Sequence, residues 1–133
     1  MTSTSRELVQ RCLRFESPER VPRDFWLLPW ATHNYIYPDL IEMGVDAVNS
    51  QLFCMDMRQI AERAKGKITF WGEIDRQHVL PETPQKGREA VRQVVQHLYD
   101  PRGGIIAQLE FGPSGNPETV MAVYDEWEKL KRI

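Results

Sequence analysis

Between Tyr37 and Gln77 the chain reads as helix, strand, helix, strand, and each strand runs into polar residues. Tyr35 to Met43 is a helical stretch with Pro38 in its first turn and Gly44 at the position after its end, and Val45 to Val48 follows at once as a short strand. Asp56 is a good N-cap, after which Met57, Ile60, Ala61 and Ala64 recur at helical spacing up to the stop at Lys65-Gly66. Ile68 to Trp71 is the next strand. Strands separated by a helix cannot meet through a tight turn, so this order predicts parallel pairing with helical crossovers.

The flanking segments extend the same pattern. Thr4 with Glu7 forms a capping box, and Leu8, Val9, Cys12, Leu13 and Phe15 give an amphipathic first helix that ends before Pro18. Phe25 to Leu28 is a continuous apolar run, as expected of a strand buried on both faces, and Pro29 ends it. Thr83-Pro84 starts a helix whose buried stripe is Ala90, Val91, Val94, Val95 and Leu98. Ile105 to Leu109 is a fourth strand, preceded by the turn Asp100 to Gly104. Asn116-Pro117-Glu118 caps a final helix carrying Val120, Met121, Val123, Tyr124, Trp127 and Leu130. One helix and four strand-then-helix units in 133 residues predict a single domain covering residues 1–133. A complete eight-stranded barrel needs about 250 residues, so four units correspond to half of one.

Composition narrows the function classes. A formal charge of −2, with basic and acidic residues interleaved, gives no electrostatic case for nucleic acid or an anionic membrane. No apolar run approaches the roughly 20 residues of a membrane span, and Met1 to Glu7 lacks a signal-peptide core, so a cytoplasmic protein is expected. Cys12 and Cys54 stand far apart, with no CxxC spacing to suggest zinc or redox chemistry, and are expected as packed thiols.

The opening, Thr4 to Val9 and then Glu19-Arg20-Val21-Pro22-Arg23-Asp24-Phe25-Trp26, resembles the amino terminus of the uroporphyrinogen decarboxylase superfamily, which includes cobalamin-dependent methyltransferases. Pro38 to Asn49, Ile68 to Asp75, and Gly103 to Ile106 with Asn116-Pro117-Glu118 resemble its carboxy-terminal third. The resemblance implies the first and last three strands of a TIM-type (β/α)8 barrel, with the middle absent between Trp30 and about Asn34. These four parallel strands would be contiguous in a closed barrel, and the stretch 30–45 is long enough for a parallel crossover. Two open edges would remain, so the half-barrel is expected to close by homodimerisation, last strand against first.

Such barrels hold their chemistry at the carboxyl ends of the strands. There the chain offers Trp30 and His33 after the first strand, Asn49 and Gln51 after the second, Glu73, Asp75, Gln77 and His78 after the third, and Gln108 and Glu110 after the fourth. Asp75, Glu73 and His33 are the candidate catalytic residues. Asn49, Gln51, Gln77, Gln108, Glu110 and Trp30 are the candidate substrate-binding set. Glu73 and Asp75 could work as an acid and base pair, or Asp75 could cap its loop while Glu73 is solvated. His33, His78 and Glu110 could offer metal donors, but without fixed ligand spacing they read as polar loop residues, and neither metal nor cofactor is expected. Gly103-Gly104 precedes a strand, so it reads as a turn and not a phosphate cradle.

The resemblance implies a small-molecule site related to tetrapyrrole-carboxylate decarboxylation and, if the chain is active, a decarboxylase (lyase). The alternatives are a relative of the corrinoid-linked methyltransferases and a non-catalytic dimerisation or binding module. Asp75 matches an aspartate of the family. The family's substrate-gripping arginines have no counterpart in Trp30-Ala31-Thr32-His33-Asn34, and its zinc-binding His-x-Cys pair has none anywhere in the chain.

Overall fold

A computed structural model describes residues 3–26 and 34–130. The elements run α1 (Ser5–Leu13), β1 (Asp24–Trp26), α2 (Tyr37–Glu42), β2 (Ala47–Ser50), α3 (Met57–Ala64), β3 (Thr69–Glu73), α4 (Pro84–Leu98), β4 (Ile105–Gln108) and α5 (Pro117–Leu130). Short 3-10 turns at Asn34–Ile36 and Leu52–Cys54 precede α2 and α3. β2, β3 and β4 form a parallel open sheet flanked by helices, and the three-residue β1 pairs in parallel along the outer side of β2. A single chain therefore makes an open sheet of order β1-β2-β3-β4 and closes no barrel by itself.

The helix ends follow the local chemistry. The Thr4 hydroxyl accepts from Glu7 N at 3.3 Å while Thr4 N donates to the Glu7 carboxylate at 2.7 Å, so α1 starts in a complete capping box. Asp56 accepts from Arg58 N at 2.9 Å, and Thr83 accepts from Lys86 N at 3.4 Å. At the end of α2, Gly44 takes φ 76°, Gly44 N donates to Ile41 O, and Val45 N donates back to Leu40 O at 3.0 Å. This double bond back onto the last turn needs the left-handed conformation that glycine adopts without strain.

That cap also moves the second strand. The sequence places its start at Val45, but the Val45 N–H is already bound to the helix, so pairing begins at Ala47. The same happens one unit later: Ile68 N donates to Ala64 O, and β3 begins at Thr69. β3 then runs to Glu73 and not Trp71, because Gly72 still pairs with Ser50 and Glu73 with Gln108. The first strand, expected over Phe25 to Leu28, is described over Asp24–Trp26 only, and its last two expected residues lie outside the described residues.

The core lies on one face of the sheet. Val48, Phe70 and the half-buried Ile105 pack against Leu40 of α2, Ile60 and Ala64 of α3, Val91 and Val94 of α4, and Val123 of α5. Each fully buried aliphatic or aromatic side chain contributes roughly 1.5–3 kcal/mol relative to exposure. Tyr37 meets Phe70 edge-on at 5.8 Å between ring centroids and shares a 2.7 Å hydrogen bond with the Ser50 hydroxyl. Burial pushes its phenol up to about 12, the Ser50 bond opposing.

Three expectations about burial are overturned. Leu8 of α1 is buried, but Leu13 is 74% exposed and Phe15 94% exposed, because α1 lies against only part of the opposite sheet face. Cys12 and Cys54 are exposed, not packed; Leu52 is the residue of the Leu52–Cys54 turn that is driven inward. α5 turns Thr119, Ala122, Val123 and Glu126 inward, leaving Met121 and Tyr124 in solvent. Its rotation is set by α4, where Arg92 pairs with Glu126 at 2.7 Å.

Gly87, in the first half of α4, makes that approach possible. A β-carbon there would sit 3.0 Å from both Thr119 Cγ2 and Val123 Cγ2, and 3.2 Å from the Thr119 carbonyl. Gly87→Leu is therefore expected to destabilise the protein by about 1–3 kcal/mol, read as a lower urea midpoint at unchanged slope.

Candidate functional site

Alternation along the strands sets which side chains share a face. Register places Asn49 beside Trp71, Trp71 beside Ile106, and Glu73 beside Gln108. These residues alternate with the core-facing Val48, Phe70 and Ile105, so they lie on the face opposite α2 to α5. Asn49 Nδ2 donates to Gln108 Oε1 at 3.2 Å, a bond that reaches across β3 from β2 to β4. Asn49 and Glu73 are buried, at 4% and 7% exposure, although both are polar strand-end residues.

The 3-10 turn after β2 and the loop after β3 close around Glu73. Gln51, Phe53, Cys54, Glu73, Asp75, Arg76 and Gln77 enclose a cavity of about 10 Å³, room for roughly one water molecule. Burial raises the Glu73 carboxyl above its ordinary range, with Glu110 and Asp75 adding to the shift and Arg76 opposing it. Burial also pulls Asp75 upward, but the backbone N–H groups of His78 and Gln77 and the His78 ring outweigh it and hold Asp75 low. Those bonds are 2.9, 2.8 and 3.0 Å long. The two carboxyls are thus driven in opposite directions, the separation an acid and base pair requires.

Asp75 also orders its own loop, since its carbonyl accepts from Val79 N and Leu80 N. Capping and an ionised carboxylate coexist in this residue, whereas Glu73 is buried and not solvated. The Cys54 thiol donates to Gln51 Oε1 at 3.3 Å, and burial, then Asp75 and Glu73, push its pKa up, so it stays a thiol at neutral pH. Arg76 is ion-paired with Glu110, both partly exposed.

Of the residues singled out from sequence, the structure brings together Asn49 with Gln108, and Gln51, Glu73, Asp75 and Gln77 around the small cavity. Glu110 sits at the exposed rim with Arg76, and His78 is 79% exposed on Asp75. His33 and Trp30 lie outside the described residues. Phe53, Cys54 and Arg76 were missed. Arg76 was readable as the one cation among the strand-end carboxylates, but the 3-10 turn that carries Phe53 and Cys54 to Glu73 has no local signal.

Among the described residues, no group of three or more His, Cys, Asp and Glu side chains is placed to hold a metal ion. No helix among them is long and apolar enough to cross a membrane. Comparison of the sequence with protein-family models gives no match, and comparison with curated proteins gives none either.

The shift of Glu73 has a consequence for stability. Its folded form binds the proton more tightly than the unfolded chain, so stability falls as pH rises from the ordinary glutamate range through the raised folded value. Glu73→Gln removes this loss. The variant is expected to gain stability over the native chain at pH 7 and to lose that advantage near pH 4, measured by urea unfolding at the two pH values.

Proposed function

We propose that this chain is a shortened relative of the uroporphyrinogen decarboxylase superfamily that binds a polar small molecule at the carboxyl ends of its strands. The observation that carries this reading is the row of Asn49, Glu73 and Gln108 on three adjacent parallel strands, at the sheet edge where α/β proteins place their ligands. Glu73, with its raised proton affinity, is the group suited to donate a proton to a bound ligand. Asp75 is suited to accept one.

Charge selects among the ligands that the family resemblance suggests. Glu73, Asp75 and Glu110 surround a single cation, Arg76, and that cation is occupied by Glu110. A polycarboxylate tetrapyrrole would meet more carboxyls than cations. The amides of Asn49, Gln51, Gln77 and Gln108 suit a neutral ligand with amide groups, which favours the corrinoid-linked branch over decarboxylation. Tryptophan-fluorescence titration with dicyanocobinamide, a neutral corrinoid, is expected to show saturable binding, weakened about three- to tenfold by Asn49→Ala, as loss of one hydrogen bond predicts. Tighter binding of uroporphyrin would return the reading to the decarboxylase, and binding of neither would remove the small-molecule site.

The site is completed, in this proposal, by a second copy of the chain. A parallel sheet is ordinarily covered on both faces, and here the face opposite α2 to α5 carries Ala47, Trp71 and Ile106 around an apolar cavity of about 150 Å³. Among the described residues, Val9, Cys12 and Leu13 of α1, with Pro22, Arg23 and Asp24, complete its lining. Leu13, Phe15 and Val21 stand exposed in the same part of the chain, and β1 and β4 are open edges. A two-fold axis along the strands would set β4 of each chain beside β1 of the other, giving an eight-stranded barrel with no edge. Sedimentation equilibrium is expected to give a dimer that Ile106→Asp dissociates. A native chain that stays monomeric at micromolar concentration would overturn the barrel.

A further inference from the structure

The opposite end of the same sheet carries the reverse charge. Two adjoining cavities, of about 410 and 320 Å³, open at the amino-terminal ends of β3 and β4 and share Arg6, Thr69, Asp100, Gly103 and Gly104. The smaller is lined by four cations, Arg6, Arg20, Lys67 and Arg102, against two carboxylates, Asp46 and Asp100.

Both carboxylates are already engaged. Asp46 is gripped by both terminal nitrogens of Arg20 and by the Arg23 N–H at 2.9 Å. Asp100 accepts Arg102 N, Nε and Nη2 at 2.9, 2.9 and 2.8 Å. Arg6 and Lys67 have no carboxylate partner among the described residues; Arg6 Nη1 donates to the Arg102 carbonyl at 3.2 Å and Lys67 Nζ to the Arg63 carbonyl at 3.5 Å. Carbonyl bonds leave their charges uncompensated.

Glycine holds the two arginines in place. A β-carbon on Gly103, at φ 122°, would come within 2.7 Å of Arg6 Cδ, and one on Gly66, at φ 77°, within 2.5 Å of Arg102 Nη2. The turns thus act as floors on which guanidinium groups lie, and not as a backbone cradle. Thr69 supplies a second, independent indication. It is 7% exposed and lines both cavities. A hydroxyl between the two cavities can donate to a bound oxyanion.

We propose that this opening binds a phosphorylated small molecule, with the phosphate between Arg6, Lys67 and the Thr69 hydroxyl and the rest of the molecule along Val9, Ile106 and Leu130. A guanidinium, an ammonium and a hydroxyl from two chain segments suit the several oxygens of a tetrahedral anion better than the two of a planar carboxylate. The cavities exceed what a phosphate alone would fill and match the volume of small-ligand sites. The larger one offers the apolar wall of Val9, Ile106 and Leu130 beyond the charged end.

The test uses the full chain at fixed ionic strength, titrated with phenyl phosphate, inorganic phosphate and phenylacetate, with the amide signals of Thr69, Gly103 and Gly104 followed by NMR. Phenyl phosphate is expected to shift those signals saturably and to bind about tenfold more tightly than either other probe. Arg6→Gln and Lys67→Gln, both at exposed positions, are each expected to weaken it about five- to tenfold while the remaining amide spectrum is unchanged. Thr69→Val, which keeps the side-chain shape, is expected to weaken it about threefold. The proposal is overturned if phenyl phosphate gives no saturable shift at these amides, if phenylacetate binds as tightly, or if Arg6→Gln and Lys67→Gln bind as the native chain does.

Discussion

Parallel pairing in chain order governs this structure. Each strand joins the next only through a crossover, and right-handed crossovers between strands laid down in sequence carry α2, α3 and α4 to the same side, where α5 packs against α4. The apolar core therefore forms on one face, between these helices and Val48, Phe70 and Ile105. Among the described residues the other face is met by α1 and the segment leading into β1, and the residues there keep a freedom to be polar that a core position would deny them.

β3 shows the outcome most directly. Thr69, Trp71 and Glu73 alternate onto the less covered face, with a buried hydroxyl at one end, an aromatic in the middle and a buried carboxyl at the other. Around Glu73 the neighbouring loops supply Asp75, Glu110 and one engaged arginine; around Thr69 they supply four cations and two engaged carboxylates. A net charge of −2 for the whole chain conceals this polarity, because opposite excesses at the two ends of the strands nearly cancel in the sum. The raised proton affinity of Glu73 derives from a side chain held partly out of water, where charges are less screened.

Much of the fold was legible because it is written in short-range chemistry. Thr4 with Glu7, Asp56 and Thr83-Pro84 each cap the helix they were read to cap, and Gly44 ends α2 as its position predicts. Of the expected stripe, Ala90, Val91, Val94 and Leu98 are buried, as helical spacing predicts, while Val95 is only half-buried. The strand starts were less legible, since Val45 and Ile68 remain bonded to the preceding helices through their N–H groups. The exposure of Leu13 and Phe15 could not be read from periodicity, which finds an apolar stripe but not whether anything covers it.

The candidate site divides along the same line. Residue order alone put Asn49, Glu73 and Gln108 at the ends of successive strands, because alternating strands and helices leave parallel pairing as the available ladder. Tertiary packing decided that Glu73 is buried with a raised proton affinity while Asp75, two residues on, is held ionised by its own loop. It also decided that Arg6 lies over Gly103, a residue 97 positions away in the chain, and lines the same cavities as Thr69. Spacing determines secondary structure through bonds a few residues long, whereas desolvation and the meeting of charges depend on segments that only the folded sheet brings together.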